Sequence, residues 1–315
     1  MSAYKSIIST VLFIVASVPA KYLQNTKDVV WFPNPNGDGT LLEANLTPDP
    51  DFKIGDVSDV RFHLFTGNNQ YTPDELFVGD DVSLTNSHFI PNRPLKVLIH
   101  GFGGDYRHTF PWQTYQGYLK VDSNQNFIMV NWTVLADTSN YFAAAQNTRY
   151  PPRWVFFGGQ VVGQIGSRVS EKLTRITALE PALPLFDVAD LHNRTDPSDA
   201  IYVNVLHTSG ILGFNDPCGT VPEFWEQQPG CGIDLTGGCA HERAPDYFLE
   251  ALLSETEFRG KKCTSWNDFT SGICDDNEVG VMSYNTPETT TGVFYLRTNS
   301  ESPYAQAMAK QDGMR

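Results

Sequence analysis

The chain has 315 residues, of which 41% are hydrophobic, 12% aromatic and 18% charged, and its net charge is −14. This length and apolar content allow a substantial buried core, and the mixed composition excludes a disordered, collagen-like or coiled-coil protein. The negative charge argues against nucleic acid and anionic membranes as electrostatic partners. The simplest role of this charge is to keep the protein soluble.

Residues 1–20 predict a secretory signal peptide. Lys5 gives a basic start, Ile7 to Ser17 form an apolar stretch too short to span a bilayer, and Val18-Pro19-Ala20 offers small residues for cleavage. The alternative, an uncleaved anchor helix, would need a longer apolar run. We therefore expect a secreted, extracellular protein without a transmembrane segment, and residues 21–315 forming one domain because no linker divides them.

Short apolar runs separated by helix-like stretches fill the rest of the chain. The predicted strands are Val60–Thr66, Leu95–His100, Phe127–Trp132, Val155–Phe157, Ile176–Leu179, Tyr202–Leu206, Val281–Tyr284 and Val293–Arg297. The predicted helices are Thr138–Gln146, Val161–Leu173 and Pro245–Leu253. Residues 21–58, rich in Asn, Asp and Pro, predict loops around a short apolar start. Because buried strands alternate with helices, we expect an α/β fold with a mostly parallel central sheet and helices on both faces.

The five cysteines all lie in the last third of the chain. Sequential pairing as Cys231–Cys239 and Cys263–Cys274 would close two short loops and leave Cys218 without a partner. A zinc site is the competing interpretation, but no pair has the close C-x-x-C spacing of structural zinc sites. The secretory leader favours disulfides.

Three N-x-[ST] sequons begin at Asn45, Asn131 and Asn193. Asn45 and Asn193 lie in polar, loop-like stretches and are predicted glycosylation sites. Asn131 ends an apolar strand, so we expect it to remain unmodified.

Polar residues follow several predicted strands, at the edge where open α/β sheets bind ligands. The segment His100-Gly101-Phe102-Gly103-Gly104 follows one strand, Glu180 another and His207 a third, while His241 comes just before the helix at Pro245. Glycines let the backbone approach a ligand closely. A strand-end carboxylate with a later histidine suits a hydrolase triad, although a single histidine is more often a structural hydrogen-bonding residue.

An ordered set of strings identifies a family. From roughly Trp31 to Arg297 the chain resembles the pancreatic lipase family, through LIHGFGG, VNW, NTR, RITALEPALPLF, RTDPSDAIYVNVLHTSGILGF, QPGC and CAHERAPDYF. That family holds animal triacylglycerol lipases, secreted phospholipases A1 and insect lipase-like proteins. The resemblance implies an α/β-hydrolase fold that cleaves carboxylic esters of lipids, triacylglycerol or phospholipid sn-1, with a Ser-Asp/Glu-His triad and no required cofactor. Because the chain stops at Arg315, we expect no C-terminal β-sandwich domain, as in the short insect-type members.

The resemblance also implies roles for single residues. His241 matches the general base, Glu180 stands where the family has its triad aspartate, and Phe102 matches the residue whose backbone N–H forms half of the oxyanion hole. Cys231 and Cys239 flank the family's lid, which is short here and more similar to that of the phospholipases A1.

The family further implies a structural calcium ion. Asp196, Asp199 and the carbonyl of Arg194 match its ligands, and oxygen atoms of this kind suit calcium. The alternative is that the two carboxylates only cap and order a turn.

The family's nucleophile is missing from this sequence. The serine belongs to a G-x-S-x-G motif on a sharp turn between a strand and a helix, and no G-x-S-x-G occurs in the chain. Trp154–Gly158 resembles the incoming strand and Gly159–Gly166 the following helix, with no counterpart of the turn between them. Two helices of about 11 residues and a strand of about 5 need more residues than separate Arg149 from Ile176. The fold is therefore expected to be truncated at the nucleophile strand, elbow and helix.

Two functions remain open. One is a secreted lipase or phospholipase A1 whose active form contains a segment that this sequence lacks. The other is a catalytically inactive homologue that binds or stores lipid, like the yolk proteins of flies, which are similar to this family and lack its serine. Ser167 and Ser170 lie within a helix-like run and do not suit an elbow, so we expect ester hydrolysis by this chain to be near background.

Overall fold

The structure is a computed structural model that describes residues 26–34, 39–48, 50–51, 55–136, 140–149, 158–182, 184–186, 193–209 and 228–306. Its strands are β1 (Val29–Pro33), β2 (Leu41–Asn45), β3 (Arg61–Thr66), β4 (Asp74–Leu76), β5 (Leu95–Ile99), β6 (Asn126–Asn131), β7 (Leu173–Leu179), β8 (Ala200–Leu206), β9 (Phe258–Lys262), β10 (Val279–Met282) and β11 (Phe294–Tyr295). Its helices are α1 (Asp81–Thr85), α2 (Thr109–Val121), α3 (Thr133–Ala136), α4 (Tyr141–Arg149), α5 (Gly158–Gly166), α6 (Gly238–Leu253) and α7 (Trp266–Thr270).

The larger sheet has the strand order β4-β3-β6-β5. In it β5 and β6 run parallel, whereas β3 pairs antiparallel with both β4 and β6. The smaller sheet is the parallel pair β7 and β8. Within the described part of the chain no ladder joins β5 to β7. The strands and helices agree with an α/β fold, but they form separate sheets where the sequence predicts one mostly parallel sheet.

Helices cover the larger sheet on both faces because the side chains of β6 alternate. Phe127 and Met129 pack in a cluster with residues of α2 and α6. Ile128 and Val130 point the other way, into a cluster with residues of α4 and α5. Successive residues of a strand face opposite sides of the sheet, so a continuous apolar run requires cover on both. The expected helices on both faces are present here.

Helix α5 lies between the two sheets. It packs mainly against β7 and also touches β5. Its first two residues are glycines in close contact with both strand ends: a Cβ on Gly158 would lie 3.3 Å from the carbonyl oxygens of Ile99 and His100. A Cβ on Gly159 would lie 2.9 Å from the Cα of Pro181. The N-terminus of α5 therefore occupies the space between the carboxyl ends of β5 and β7.

Several predicted boundaries are wrong. Residues 29–45 hold the antiparallel pair β1 and β2 where loops were expected. Helix α6 begins at Gly238 rather than Pro245, which lies inside it. The helix predicted over Val161–Leu173 ends at Gly166, and Leu173 already starts β7. The strand predicted at Val155–Phe157 lies outside the described residues.

Both predicted disulfides are confirmed, Cys231–Cys239 and Cys263–Cys274. Cys218 lies outside the described residues. None of the helices in the described ranges is long and apolar enough to cross a membrane.

Candidate functional site

The residues singled out by sequence do gather at the strand ends. His100 follows β5, Glu180 follows β7, and His207 follows β8. The backbone N–H of Glu180 donates to the carbonyl of Leu206 at 2.9 Å, which extends the β7–β8 pair by one step. His241 is the exception, because it lies within the first turns of α6 rather than before a helix.

His100 is a fully bonded structural residue. Its Nδ1 lies 2.9 Å from the carbonyl of Gly101, and its Nε2 lies 3.3 Å from the backbone N–H of Trp132. The indole N–H of Trp132 donates to the carbonyl of His100 at 3.0 Å, and the two rings stack at 5.3 Å. Burial lowers the pKa of His100 to about 4, so the ring is neutral at physiological pH. These contacts of His100 therefore fix the start of the loop that carries Phe102.

Glu180 is buried and holds the chain that follows β8. Its Oε2 accepts hydrogen bonds from the backbone N–H and hydroxyl of Thr208, the latter at 2.6 Å, and from the N–H of Ser209 at 3.0 Å. Its Oε1 is buried and has no hydrogen-bond partner among the described residues. Burial raises the pKa of Glu180 to about 8, against the opposing effect of these hydrogen bonds. A largely protonated carboxyl is a poor partner for an imidazolium.

His241 is buried in an aromatic cluster. Its ring meets that of Phe32 edge-on at 5.9 Å, and Phe32 packs against Phe102 at 5.7 Å and Tyr141 at 5.2 Å. Its Nδ1 has no hydrogen-bond partner within the described part of the chain. Burial lowers the pKa of His241 to about 4. The structure thus brings His241 and Phe102 together through Phe32, and it gives no hydrogen bond between His241 and Glu180.

No serine stands at the start of α5, where the elbow of the family would be. The helix begins at Gly158 and Gly159, wedged between the strand ends. Ser167 follows the other end of the helix, is exposed, and donates its hydroxyl to the carbonyl of Gln164 at 3.0 Å. The expectation that it is no nucleophile agrees with this position, far along the helix from the strand ends.

The proposed calcium ligands form a tight capped turn. Asp196 Oδ1 accepts from the N–H of Ser198 at 2.9 Å, and Asp199 Oδ2 accepts from the N–H of Asp196 at 2.7 Å. This reciprocal capping box begins the 3-10 turn Pro197–Asp199. Around these two carboxylates the described residues place no third histidine, cysteine or acidic ligand. The capped turn accounts for both carboxylates, and calcium at Arg194, Asp196 and Asp199 stays a prediction.

The short lid segment is described and exposes an apolar tip. Between Cys231 and Cys239, Ile233 is 84% exposed and Leu235 is 45% exposed. Asp234 Oδ2 accepts from the N–H of Ala240 at 2.8 Å, which anchors the segment to α6. Asp234 also lies beside both sulfur atoms, but cysteines joined in a disulfide are not thiolate ligands.

The three sequons differ from expectation at one position. Asn45 ends β2 rather than lying in a loop, and its Oδ1 accepts from the N–H and hydroxyl of Thr47 at 2.9 and 2.6 Å. Asn131 ends β6 as expected. Asn193 Oδ1 accepts from Arg168 at 3.2 Å. Glycosylation of Asn45 and Asn193 stays a prediction.

Sequence reasoning missed Phe32 and Tyr141, and it placed Thr208 and Ser209 at a strand end without predicting their hydrogen bonds to Glu180. The apolar letters of β1, VVWFP, could have indicated a buried strand. No sequence pattern indicates that the hydroxyl of Thr208 and the N–H groups of Thr208 and Ser209 donate to Glu180. These hydrogen bonds join the end of β7 to the segment after β8, which is distant in sequence.

Comparison with known proteins gives relatives of one kind. The pancreatic triacylglycerol lipase of Sus scrofa is 30% identical over 306 residues, covering 79% of this chain and 67% of the relative. The human pancreatic triacylglycerol lipase is 28% identical over 306 residues, covering 79% and 65%. The human inactive pancreatic lipase-related protein 1 is 29% identical over 289 residues, covering 76% and 60%. The chain thus spans about two thirds of these relatives' length or less.

The aligned lengths show that the relatives have residues with no counterpart in this chain. An aligned length of 306 residues that covers only 79% of a 315-residue chain includes many positions where the Sus scrofa lipase has a residue and this chain has none. The sequence model of the family described as Lipase matches residues 39–152 and 155–304, with its interruption at Arg153 and Trp154. This interruption lies within the stretch where the sequence predicts the loss of the elbow. With matches over most of its length, the chain belongs to the lipase family that includes the pancreatic triacylglycerol lipases.

Proposed function

We propose that this chain is a secreted member of the lipase family that engages lipid, or a lipid–water interface, without hydrolysing it. One observation carries the proposal: α5 begins with Gly158 and Gly159 between the ends of β5 and β7, and no serine stands there. The exposed Ile233 and Leu235 of the lid segment offer apolar surface to a lipid phase.

The chemistry of the family explains why the absence of a serine at the start of α5 prevents ester hydrolysis. A serine hydroxyl attacks the ester carbonyl, a histidine takes its proton, and two N–H groups stabilise the oxyanion. Without the serine no acyl-enzyme bond forms, and His241 has no hydroxyl to deprotonate. The N–H that follows the serine is lost with it, which leaves the backbone N–H of Phe102 as the remaining oxyanion donor. Only the residual catalysis of binding and oxyanion stabilisation is left.

The gap in the alignments favours one origin for such a chain: it is a shortened form of a protein whose longer form hydrolyses carboxylic esters of lipids. The family match is interrupted at Arg153 and Trp154, and a loss concentrated there would remove whole elements at once, unlike gradual drift. In the longer form the restored serine would act with Glu180 and His241. The second candidate is a homologue that binds or stores lipid as its only function, and the inactive pancreatic lipase-related protein 1 is a precedent by its name.

Sequencing of full-length transcripts across the codons for Arg149 to Ile176 separates these origins. A dominant transcript with an inserted segment containing G-x-S-x-G would show the chain to be a shortened form. If the short transcript is the only one, lipid binding is the function, and binding of the purified protein to triacylglycerol emulsions is then measured.

Hydrolysis is tested with the purified full chain on emulsified triacylglycerol and on phosphatidylcholine vesicles. We expect rates at background, equal in the parent and in His241→Ala, and no labelling by a serine-directed phosphonate. Hydrolysis that His241→Ala abolishes, together with phosphonate labelling, would contradict the proposal. N-terminal sequencing and mass determination of the secreted protein test cleavage after Ala20 and glycans on Asn45 and Asn193.

A further inference from the structure

A groove opens between α2 and α6 beside the place where the two helices touch. They touch at Gly117 of α2, because a Cβ there would lie 2.8 Å from Leu252 of α6. Toward the start of both helices the facing side chains enclose a space of about 180 Å³. A volume of that size has room for several water molecules or for a small organic group.

One wall of the groove is a single face of α6. The residues that line it recur at the spacing that brings side chains to one side of a helix: Glu242, Pro245, Asp246 and Leu249. Glu242 and Asp246 are four residues apart, so two like charges lie beside each other, which disfavours the helix. Burial, and then the charge of Asp246, raise the pKa of Glu242. A cation in the groove relieves this repulsion.

The two carboxylates differ in their partners. Arg243 lies on the same helix, and its Nη1 is 3.5 Å from Asp246 Oδ2. Glu242 forms no ion pair with the residues that the structure describes, although Arg243 acts on it at longer range. Glu242 is exposed at the rim of the groove, so its carboxylate can meet a ligand that arrives from water.

The opposite wall, on α2, carries a buried hydroxyl without a partner. Thr114 lines the groove and is 1% exposed. Its Oγ1 has no hydrogen-bond partner among the described residues, a state that buried side-chain oxygens seldom keep. A threonine hydroxyl accepts hydrogen bonds as well as donating them. Independently of the two carboxylates, Thr114 therefore indicates a ligand in this groove.

Much of the remaining lining is apolar. Phe110 contributes to it from α2, and Pro245 and Leu249 contribute from α6. A metal ion gains nothing from such groups, and the described residues bring no third carboxylate, histidine or cysteine to the two acids. An alkyl chain gains from leaving water beside apolar side chains, and an aromatic ring attracts a cation. The lining therefore favours an organic cation.

We propose that this groove binds a primary alkylammonium ion. Its three N–H donors match three acceptors, the carboxylates of Glu242 and Asp246 and the hydroxyl of Thr114. Its alkyl chain packs beside Phe110 and Leu249. The net charge of −14 draws cations toward the protein. The ligand is a free aliphatic amine or the end of a lysine side chain, and the site uses none of the residues assigned to ester hydrolysis.

The test titrates n-butylammonium chloride into the purified full chain at low ionic strength, by calorimetry. The variants are Glu242→Gln and the matched control Glu255→Gln, which removes an exposed carboxylate two residues beyond the end of α6. We expect saturable binding to one site, weakened about tenfold or more in Glu242→Gln because a charge-assisted hydrogen bond is lost. Glu255→Gln should bind like the parent. Equal affinity in all three proteins would overturn the site.

Thr114→Val tests the buried hydroxyl by putting a methyl group in its place. Since the hydroxyl has no partner among the described residues, thermal unfolding without ligand should remain cooperative, at an unchanged or higher midpoint. Binding of n-butylammonium should weaken several-fold. Unchanged affinity in this folded variant would contradict the role of Thr114.

Other solutes test the chemistry of the ligand. Tetramethylammonium has the same charge and no N–H donor, and we expect it to bind at least tenfold more weakly than n-butylammonium. Equal binding of the two would show a general attraction of cations to an acidic protein and would overturn the site. Calcium that binds in the parent and not in Glu242→Gln, without any binding of the amine, would overturn it in favour of a metal ion.

The amide of Nα-acetyl-lysine distinguishes the two sources of the ammonium group. If the groove takes the end of a lysine side chain, this compound binds, competes with n-butylammonium and is weakened by Glu242→Gln. If the ligand is a free amine, n-butylammonium binds and the lysine compound does not. Absence of saturable binding of both compounds would overturn the proposal.

Discussion

Two buried histidines, His100 after β5 and His241 within α6, have the same lowered pKa and opposite surroundings. His100 has a partner for each ring nitrogen, and the indole of Trp132 closes the arrangement. His241 has an aromatic neighbour in Phe32 and no partner for Nδ1 among the described residues. Glu180 likewise keeps one buried carboxyl oxygen without a partner in the described part of the molecule. Complete hydrogen bonding is typical of a structural residue, whereas the buried atoms of His241 and Glu180 without a partner in the described residues set these two side chains apart from His100.

The largest effect is expected from removing Trp132, whose indole N–H donates to the carbonyl of His100. Trp132→Ala should lower the free energy of unfolding by about 3–5 kcal/mol, because a fully buried indole leaves a cavity. Val134→Ala, at a position 69% exposed, should stay within about 0.5 kcal/mol of the parent. Urea unfolding followed by circular dichroism measures both. A small loss in Trp132→Ala would show that this end of the sheet is not tightly packed.

The pH dependence of Glu180 comes next. Because burial raises its pKa from 4.5 to about 8, the folded protein keeps a proton that the unfolded chain releases. The contribution of Glu180 to the free energy of unfolding should therefore fall as pH rises from about 4.5 to about 8, by up to about 1.4 kcal/mol per pH unit. In Glu180→Gln this decline should be absent, so the variant gains on the parent toward pH 8. Parallel pH profiles of the two proteins would mean that Glu180 is ionised in the fold.

The two histidines themselves give a direct contrast. His100→Leu removes the acceptor offered to the N–H of Trp132 and should lower stability by about 1–3 kcal/mol. His241→Leu removes a buried ring nitrogen without a partner in the described residues and should leave stability unchanged or raise it. Thermal midpoints of the parent, His100→Leu and His241→Leu at pH 7 measure both effects. Equal losses would show that His241 is as well bonded as His100.

The same histidines act in acid opposite to Glu180. Their pKa values are lowered from 6.5 to about 4, so below pH 6.5 the unfolded chain binds protons that the folded protein does not. The contribution of these two histidines to the free energy of unfolding should therefore fall as pH decreases from about 6.5 to about 4. His241→Leu should reduce this decline relative to the parent, which acid titration of the thermal midpoint measures.

The smallest effect concerns the capped turn before β8. Asp199→Asn should cost about 1 kcal/mol, because it weakens the capping box with Asp196. If the turn only caps, the loss is the same with calcium and with chelator. A parent protein that calcium stabilises, and an Asp199→Asn variant that it does not, would establish the ion site.

Sequence alone predicted much of the scaffold and part of the site. The cores of β5, β6, β7 and β8 were evident from short apolar runs, and both disulfides agree with sequential pairing of the cysteines. The family motifs named Phe102, Glu180 and His241, which the structure places at or near the strand ends. The contact of Phe32 with His241 and the hydrogen bond from Thr208 to Glu180 were not predictable, since each contact joins segments far apart in the chain. Local periodicity encodes which face of an element is buried and not which distant residue covers it.

The lack of a ladder between β5 and β7 in the described residues has a consequence for how the molecule unfolds. Cooperative units usually coincide with groups of elements that share hydrogen bonds and a core. The strands β3 to β6 form one such group and β7 with β8 another, linked by the packing of α5 and α6. We expect amide hydrogen exchange to show two levels of protection, with the β7–β8 pair opening first. The two groups of strands would then unfold as separate cooperative units that α5 and α6 connect.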